Sequence, residues 1–352
     1  MPKLNGLGFA DIEIQNRFKE ITFYDKINMI INWKPIEKIL KKYTNRNKDA
    51  LGNPAYPSLK MFKLLLVQKW EKLSDYQAEF ALKDRISVIK FVGYSISDPV
   101  PDHSTICRFR QKIQESGCYE ELLEEINNQL RLKGFQVKGR KESVVDATVV
   151  KSSRRPRKTI SSEKISNDRA EGSSSEESSE VESCNEEENN VEYSEDQEAS
   201  WLKKGKKYYY GYKAFAVVDI EGYFIGGMVK GANVNESKEF SSLLSKIKIE
   251  SGSRIYCDKG YSSKSNRELL KERGYKDFIM HKKVRNGSIS EFMKKLNRYI
   301  SSKRFVVEQF FGILKSHYGL ERFRYIGSKK GEYELYMCGI CCNLKKASNL
   351  IL

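Results

Sequence analysis

Residues 143–150 read Ser-Val-Val-Asp-Ala-Thr-Val-Val. A segment so short, β-branched and apolar is predicted to be a buried strand. Asp146 stands in its middle. A carboxylate buried there is unfavourable unless it is paired with a cation or ligates a metal. Any fold for this chain must therefore bury the strand and also supply its centre with a polar partner.

The pattern downstream is mixed α/β. Residues 208–219 (YYYGYKAFAVVD) and 223–231 (YFIGGMVKG) flank Ile-Glu-Gly and predict an antiparallel hairpin. Residues 236–250 have helical spacing. "SRIYCDKGY" predicts a short strand ending at Asp258, at the C-terminal edge where open sheets place their sites. A helix over 263–274, a strand over 276–281 and a last long helix follow. The order is strand, hairpin, helix, strand, helix, strand, helix.

Upstream, residues 28–135 are helical in pattern. Ser58 is placed to cap one helix, and Ser74 with Gln77 has the spacing of a capping box. Pro99-Val100-Pro101 interrupts, and Asp102 or Ser104 can cap a helix that presents Arg108, Arg110 and Lys112 near its start. A further helix closes at Gly134. The expected organisation is an all-α N-terminal domain over residues 1–136 and an α/β domain over 137–352. Residues 152–200 interrupt the latter with a Ser/Glu-rich stretch that lacks periodicity and apolar content, predicted to be a disordered insert.

Charge separates these parts. Residues 161–200 hold fourteen acids against two bases, while the whole chain carries +16, so the other 312 residues carry +28. A body this basic suits a polyanion, with nucleic acid the default. No apolar run reaches the length that spans a bilayer, and the N-terminus is polar, which predicts a cytoplasmic protein with reduced thiols. Cys338, Cys341 and Cys342 lack the second cysteine pair or nearby histidine of a structural zinc site, and are expected as buried thiols in a C-terminal helix. His103, His281 and His317 form no triad and are expected to be structural.

The last long helix includes "RFVVEQFFGILK", residues 304–315. At 100° per residue, Arg304, Glu308 and Lys315 fall within about 40° of one another. One acid between two bases is either a solvated ladder or the wall of a charged site. Asp146 in a strand, Asp258 at a strand end and Glu308 on this helix form an Asp, Asp, Glu set. Carboxylates that hold two divalent cations are the usual arrangement for in-line attack on a phosphodiester.

Together these segments resemble the DDE transposases of bacterial insertion sequences, specifically the insertion sequence five family. The likeness covers nearly all of residues 30–330. It rests on "YPSLKMFKLLLVQKWEKLSD", "DRISVIKFVG" and "DPVPDHSTICRFR", then on "VVDATVV", "KKGKKYYYGYKAFAVVD", "GANVNES", "YCDKGY" and "RFVVEQFFGILK". It implies a ribonuclease-H-like catalytic domain, a mixed sheet flanked by helices, in which Asp146, Asp258 and Glu308 are the catalytic and metal-binding triad. Arg304 and Lys315 match the signature that surrounds the glutamate. Two positions depart from it: Ser301 stands where a tyrosine is usual, with Tyr299 nearby, and Phe215 stands where the "GYKAF" segment often has histidine.

The resemblance implies binding of double-stranded terminal inverted repeats, cleavage at the element's ends and joining of the freed 3′-hydroxyl to target DNA. Two Mg²⁺ ions are the implied cofactor, with Mn²⁺ an acceptable substitute. Arg108, Arg110, Lys112, Lys213, Arg304 and Lys315 are the expected DNA-binding residues. A homodimer or higher oligomer at the bacterial nucleoid, with no membrane partner, is also implied. The alternatives are a decayed transposase that only binds DNA and a general ribonuclease-H-like nuclease.

Overall fold

The computed structural model describes residues 21–44, 55–135, 141–154, 158–161, 190–193, 196–283 and 289–351. Seven helices come first: α1 (Phe23–Ile30), α2 (Trp33–Thr44), α3 (Ser58–Trp70), α4 (Asp75–Asp84), α5 (Ile86–Val92), α6 (His103–Ser116) and α7 (Tyr119–Leu132). Their ends follow local chemistry. Ser74 accepts from the Gln77 N–H while the Gln77 side chain accepts from the Ser74 N–H, forming the expected capping box. Asp102 caps α6 by accepting from the Thr105 N–H at 2.7 Å. At α3 the expectation is corrected: Ser58 is already helical, and Pro57 precedes it without a side-chain cap.

The sheet contains β1 (Glu142–Lys151), β4 (Ser200–Lys204), β5 (Lys207–Asp219), β6 (Phe224–Gly231), β7 (Arg254–Cys257) and β8 (Lys276–Ile279). Its order is β4-β5-β1-β7-β8, with β6 also paired to β5. β1 runs antiparallel to β5 and parallel to β7, and β7 runs parallel to β8. The sheet is mixed, as expected for a ribonuclease-H-like domain.

β4 has no counterpart in the sequence expectations. Its Ser-Trp-Leu-Lys-Lys is mostly exposed and lacks the apolar alternation that marks a strand. β2 (Lys158–Ser161) and β3 (Asn190–Tyr193) form a separate antiparallel pair at the two ends of the acidic stretch. Residues 162–189, the centre of the expected insert, lie outside the described residues, as do 136–140, where the expected domain boundary falls.

Strand alternation divides the core into two layers. On one face Val145, Phe215, Val217, Ile255, Cys257 and Ile279 pack beneath α8 (Glu236–Lys246) and α9 (Lys264–Glu272). On the other, Val144, Ala214, Ala216, Val218 and Tyr256 pack with α10 (Glu291–Tyr318), α11 (Ser328–Ser348) and the N-terminal helices in one continuous cluster. The helical region and the sheet thus share a hydrophobic core.

α11 is the pillar between them, buried on almost every side. A Cβ at Gly339 would collide with the Phe224 ring, so only glycine lets α11 lie this close to β6. Asn343 accepts from the Phe224 N–H at 2.8 Å and donates to the Phe224 carbonyl at 2.9 Å, completing the pairing of a sheet edge with a side chain. Cys338, Cys341 and Cys342 are buried in this helix, and burial pushes the Cys338 thiol up to about 11. Among the described residues no helix is long and apolar enough to cross a membrane.

Candidate active site

Parallel pairing of β1 with β7 sets Val145 beside Cys257. The next residue on each strand is an aspartate, so Asp146 and Asp258 emerge side by side. Asp146 is held in place by the Ala147 N–H, which donates to Oδ1 at 2.8 Å. Its side chain is 16% exposed, against 41% for Asp258. Burial raises the Asp146 carboxyl above the usual carboxylate range, although Arg304 and the Ala147 N–H pull the other way.

α10 lies against β1, β5 and β7 and delivers Arg304 to this pair. Its Nη2 donates to Asp146 Oδ2 at 2.7 Å, and its Nη1 lies 3.4 Å from Asp258 Oδ1. The guanidinium is thus the buried partner that Asp146 requires. Burial alone would lower its own pKa. The charges of Asp146, Asp258 and then Glu308 outweigh this and hold it above the ordinary arginine value. The Nε of Arg304 is buried without a hydrogen-bond partner.

Glu308 sits one helical turn after Arg304 and is exposed. Its charge reaches the guanidinium. Among the described residues, no three His, Cys, Asp or Glu side chains gather tightly enough to cage an ion. The structure therefore brings Asp146 and Asp258 together through Arg304, with Glu308 beside them. The donors are all carboxylate oxygens, the type that suits Mg²⁺. Both aspartates already share one cation, so the pair fits a positively charged guest.

Glu236 is a further acid of the site, at the start of α8. It repels the charge on Asp146 and contributes to the same electrostatic environment around buried Tyr261. Its sequence signal, "GANVNES", carried the resemblance without marking the glutamate as part of the site.

The expected DNA-binding residues divide by burial. Arg108 and Lys112 are exposed on α6, with Arg108 resting on Ser104 and Thr105. Arg110, on the same helix, is 3% exposed, ion-paired with Asp75 and set over the Tyr325 ring. Lys213 is buried on β5, donating to the Val234 carbonyl at 2.9 Å and lying 3.2 Å from Glu236. Those two correct the expectation. Each is ion-paired with a neighbouring carboxylate inside the fold, unlike exposed Arg108 and Lys112.

Lys315 is half-buried near the end of α10. Burial first, and then Lys204 and Lys151, lower its pKa, while Glu321 opposes them. Three lysines therefore share this end of the helix. Phe215, at the unusual position in "GYKAF", is fully buried in the layer under α8. Tyr299 packs against Tyr256 and Phe278. Of the histidines, His103 stacks on Tyr76 at 3.8 Å and pairs with Glu79, and His281 has its pKa lowered by burial.

Comparison with known proteins adds to this geometry. Residues 138–344 match the family described as Transposase DDE domain, and residues 12–112 match Transposase domain (DUF772). The transposase for insertion sequence element IS1106, from Neisseria meningitidis serogroup B, is 31% identical over 310 residues, which are 88% of this chain and 97% of that protein. A cryo-EM structure of a piggyBac transposase synaptic complex with hairpin DNA aligns over 93% of this chain and 74% of its own, at 13% identity and a TM-score of 0.39, too slight a likeness to build on.

Proposed function

The chain belongs to the DDE transposase domain family, and from that premise we propose that it binds the terminal inverted repeats of its insertion sequence, cuts at the ends and joins the freed 3′-hydroxyl to target DNA. The observation that carries this is the placement of Asp146 and Asp258 on adjacent parallel strands, linked by one guanidinium. Two acids bridged by one guanidinium, one of them largely buried, mark a cation site on the central strands of the sheet.

In this reading Asp146 and Asp258, with Glu308, would hold the divalent ions. Bound Mg²⁺ or Mn²⁺ supplies an activated water and charge neutralisation at the leaving oxygen. The protein's own residues do the rest. β1 and β7 fix the two aspartates on a rigid sheet, which keeps their oxygens aligned without ordering at the moment of reaction. α10 carries Glu308 and Lys315 along one side of the cleavage point. Lys315, beside Lys151 and Lys204, grips the DNA backbone near the cut. Arg108 and Lys112 on α6 contact the terminal repeat from the helical region, residues 1–136, and residues 137–352 carry out the chemistry. A homodimer or larger assembly brings two ends together, since both must be joined to one target.

The test is strand cleavage of a duplex carrying the element's end, with Mg²⁺ or Mn²⁺, by the wild type and by Asp146→Asn. Specific nicking lost in the variant supports the proposal. Binding without any cut product favours a protein that only occupies DNA. Equal cutting of unrelated duplexes favours a general nuclease.

A further inference from the structure

We infer that Arg304 is a resident cation of the two-aspartate site: it holds Asp146 and Asp258 together in the metal-free protein and is displaced when a divalent ion takes their oxygens. The inference rests on the reading that these aspartates bind the ions of the reaction.

The geometry carries it in three steps. First, one guanidinium makes both contacts, Nη2 to Asp146 at 2.7 Å and Nη1 to Asp258. A divalent ion seeking the same oxygens must compete with it. Second, the local charge requires a cation. Asp146, Asp258 and Glu308 all act on Arg304, and the neighbouring Lys213 is committed to Glu236 and the Val234 carbonyl. Without Arg304 the buried Asp146 would stand unpaired. Third, the polar contacts of the arginine are with the two carboxylates. Its Nε is buried with no partner, an unfavourable placement that the contacts of the two Nη atoms offset. Exposed Glu308 lies one turn further along the same helical face, so a released guanidinium has an alternative carboxylate partner on its own helix.

Arg304 is in this sense a positioning residue. It preassembles the aspartates, and its departure is part of loading the site. Because it occupies the site in the resting protein, the apparent affinity for metal is lowered by the fraction of molecules in which it sits there.

The experiment is Mn²⁺ binding to the full-length protein without DNA, by electron paramagnetic resonance titration, for wild type, Arg304→Gln, Arg304→Lys and Asp146→Asn. Arg304→Gln should bind Mn²⁺ about tenfold more tightly than wild type, the linkage expected when a competing occupant is removed. Arg304→Lys should fall between them, because the ammonium keeps the charge but lacks the planar fork of the guanidinium. Arg304→Gln binding no tighter than wild type overturns the inference. Should Arg304→Gln be unfolded without metal, refolding on Mn²⁺ addition supports it and failure to refold overturns it. Asp146→Asn separates this from the broader reading. If it abolishes Mn²⁺ binding while Arg304→Gln leaves binding unchanged, only the displacement idea fails. If it leaves Mn²⁺ binding intact, the aspartate site itself is not where the ion goes.

Discussion

The guanidinium of Arg304 donates to the carboxylate of Asp146 at 2.7 Å across 158 residues of chain. This contact joins the long helix α10 to the central strand β1.

Asp146→Asn should abolish metal-dependent strand cleavage and leave DNA binding largely intact. The amide still accepts from the Ala147 N–H but meets Arg304 without charge, so stability should fall by about 1–3 kcal/mol. Chemical denaturation gives the stability and a cleavage assay gives the activity. Chelation of divalent ions should reproduce the loss of cutting with no change in stability beyond the contribution of bound metal. Retained cleavage in the variant would remove Asp146 from the catalytic set.

Arg108 and Arg110 should part company. Arg110→Ala breaks a buried ion pair with Asp75 and should lower stability by about 3–5 kcal/mol. Arg108→Ala and Lys112→Ala, both at exposed positions, should leave the melting temperature unchanged and weaken DNA binding. Each should reduce the slope of log affinity against log salt by about one. An Arg110→Ala protein as stable as wild type would contradict its assignment to the core.

Lys315→Ala should weaken binding to duplexes of any sequence, with the same salt-slope signature, because it loses a backbone contact and no base contact. Fluorescence anisotropy with end-bearing and unrelated duplexes measures both. A loss confined to one sequence would place Lys315 in base recognition.

Lys63 tests electrostatics away from the site. It is buried, donates to Asn28 and the Phe91 carbonyl at 3.1 Å each, and burial holds its pKa down at about 8 against an ordinary 10.5. Below pH 8 both folded and unfolded chains carry this proton, and the buried charge weakens the fold. Between pH 8 and 10.5 the unfolded chain binds the proton and the folded protein does not, so this group adds stability as pH rises. Lys63→Met removes the effect. The stability difference between variant and wild type should therefore shift by on the order of 2 kcal/mol in favour of wild type across that window. Denaturant titrations at pH 7.5 and 10.5 read it directly, and a pH-independent difference would rule out the depressed value.

Much of the frame was legible in residue order. The valine run around Asp146 and the alternation in β5 are read from local spacing, because strand periodicity is a property of a few neighbouring residues. The capping box at Ser74 and the placing of Asp258 at a strand end follow for the same reason, whereas the meeting of Asp146 with Asp258 came from the parallel register of β1 and β7. β4 was not legible, because an exposed, lysine-rich strand exists only through the hydrogen bonds that β5 offers it.

Chain order by itself determined that one aspartate would be buried in a strand and that a helix would carry Arg304, Glu308 and Lys315 on one side. Tertiary structure decided which charges meet. Arg108 and Arg110 are two residues apart and equally basic, yet one faces water and the other neutralises Asp75 in the core. Lys213 turned inward to Glu236, and Arg304 took the place between the aspartates. Coulomb energy depends on distance and on the surrounding dielectric, and both are set only when distant segments come together.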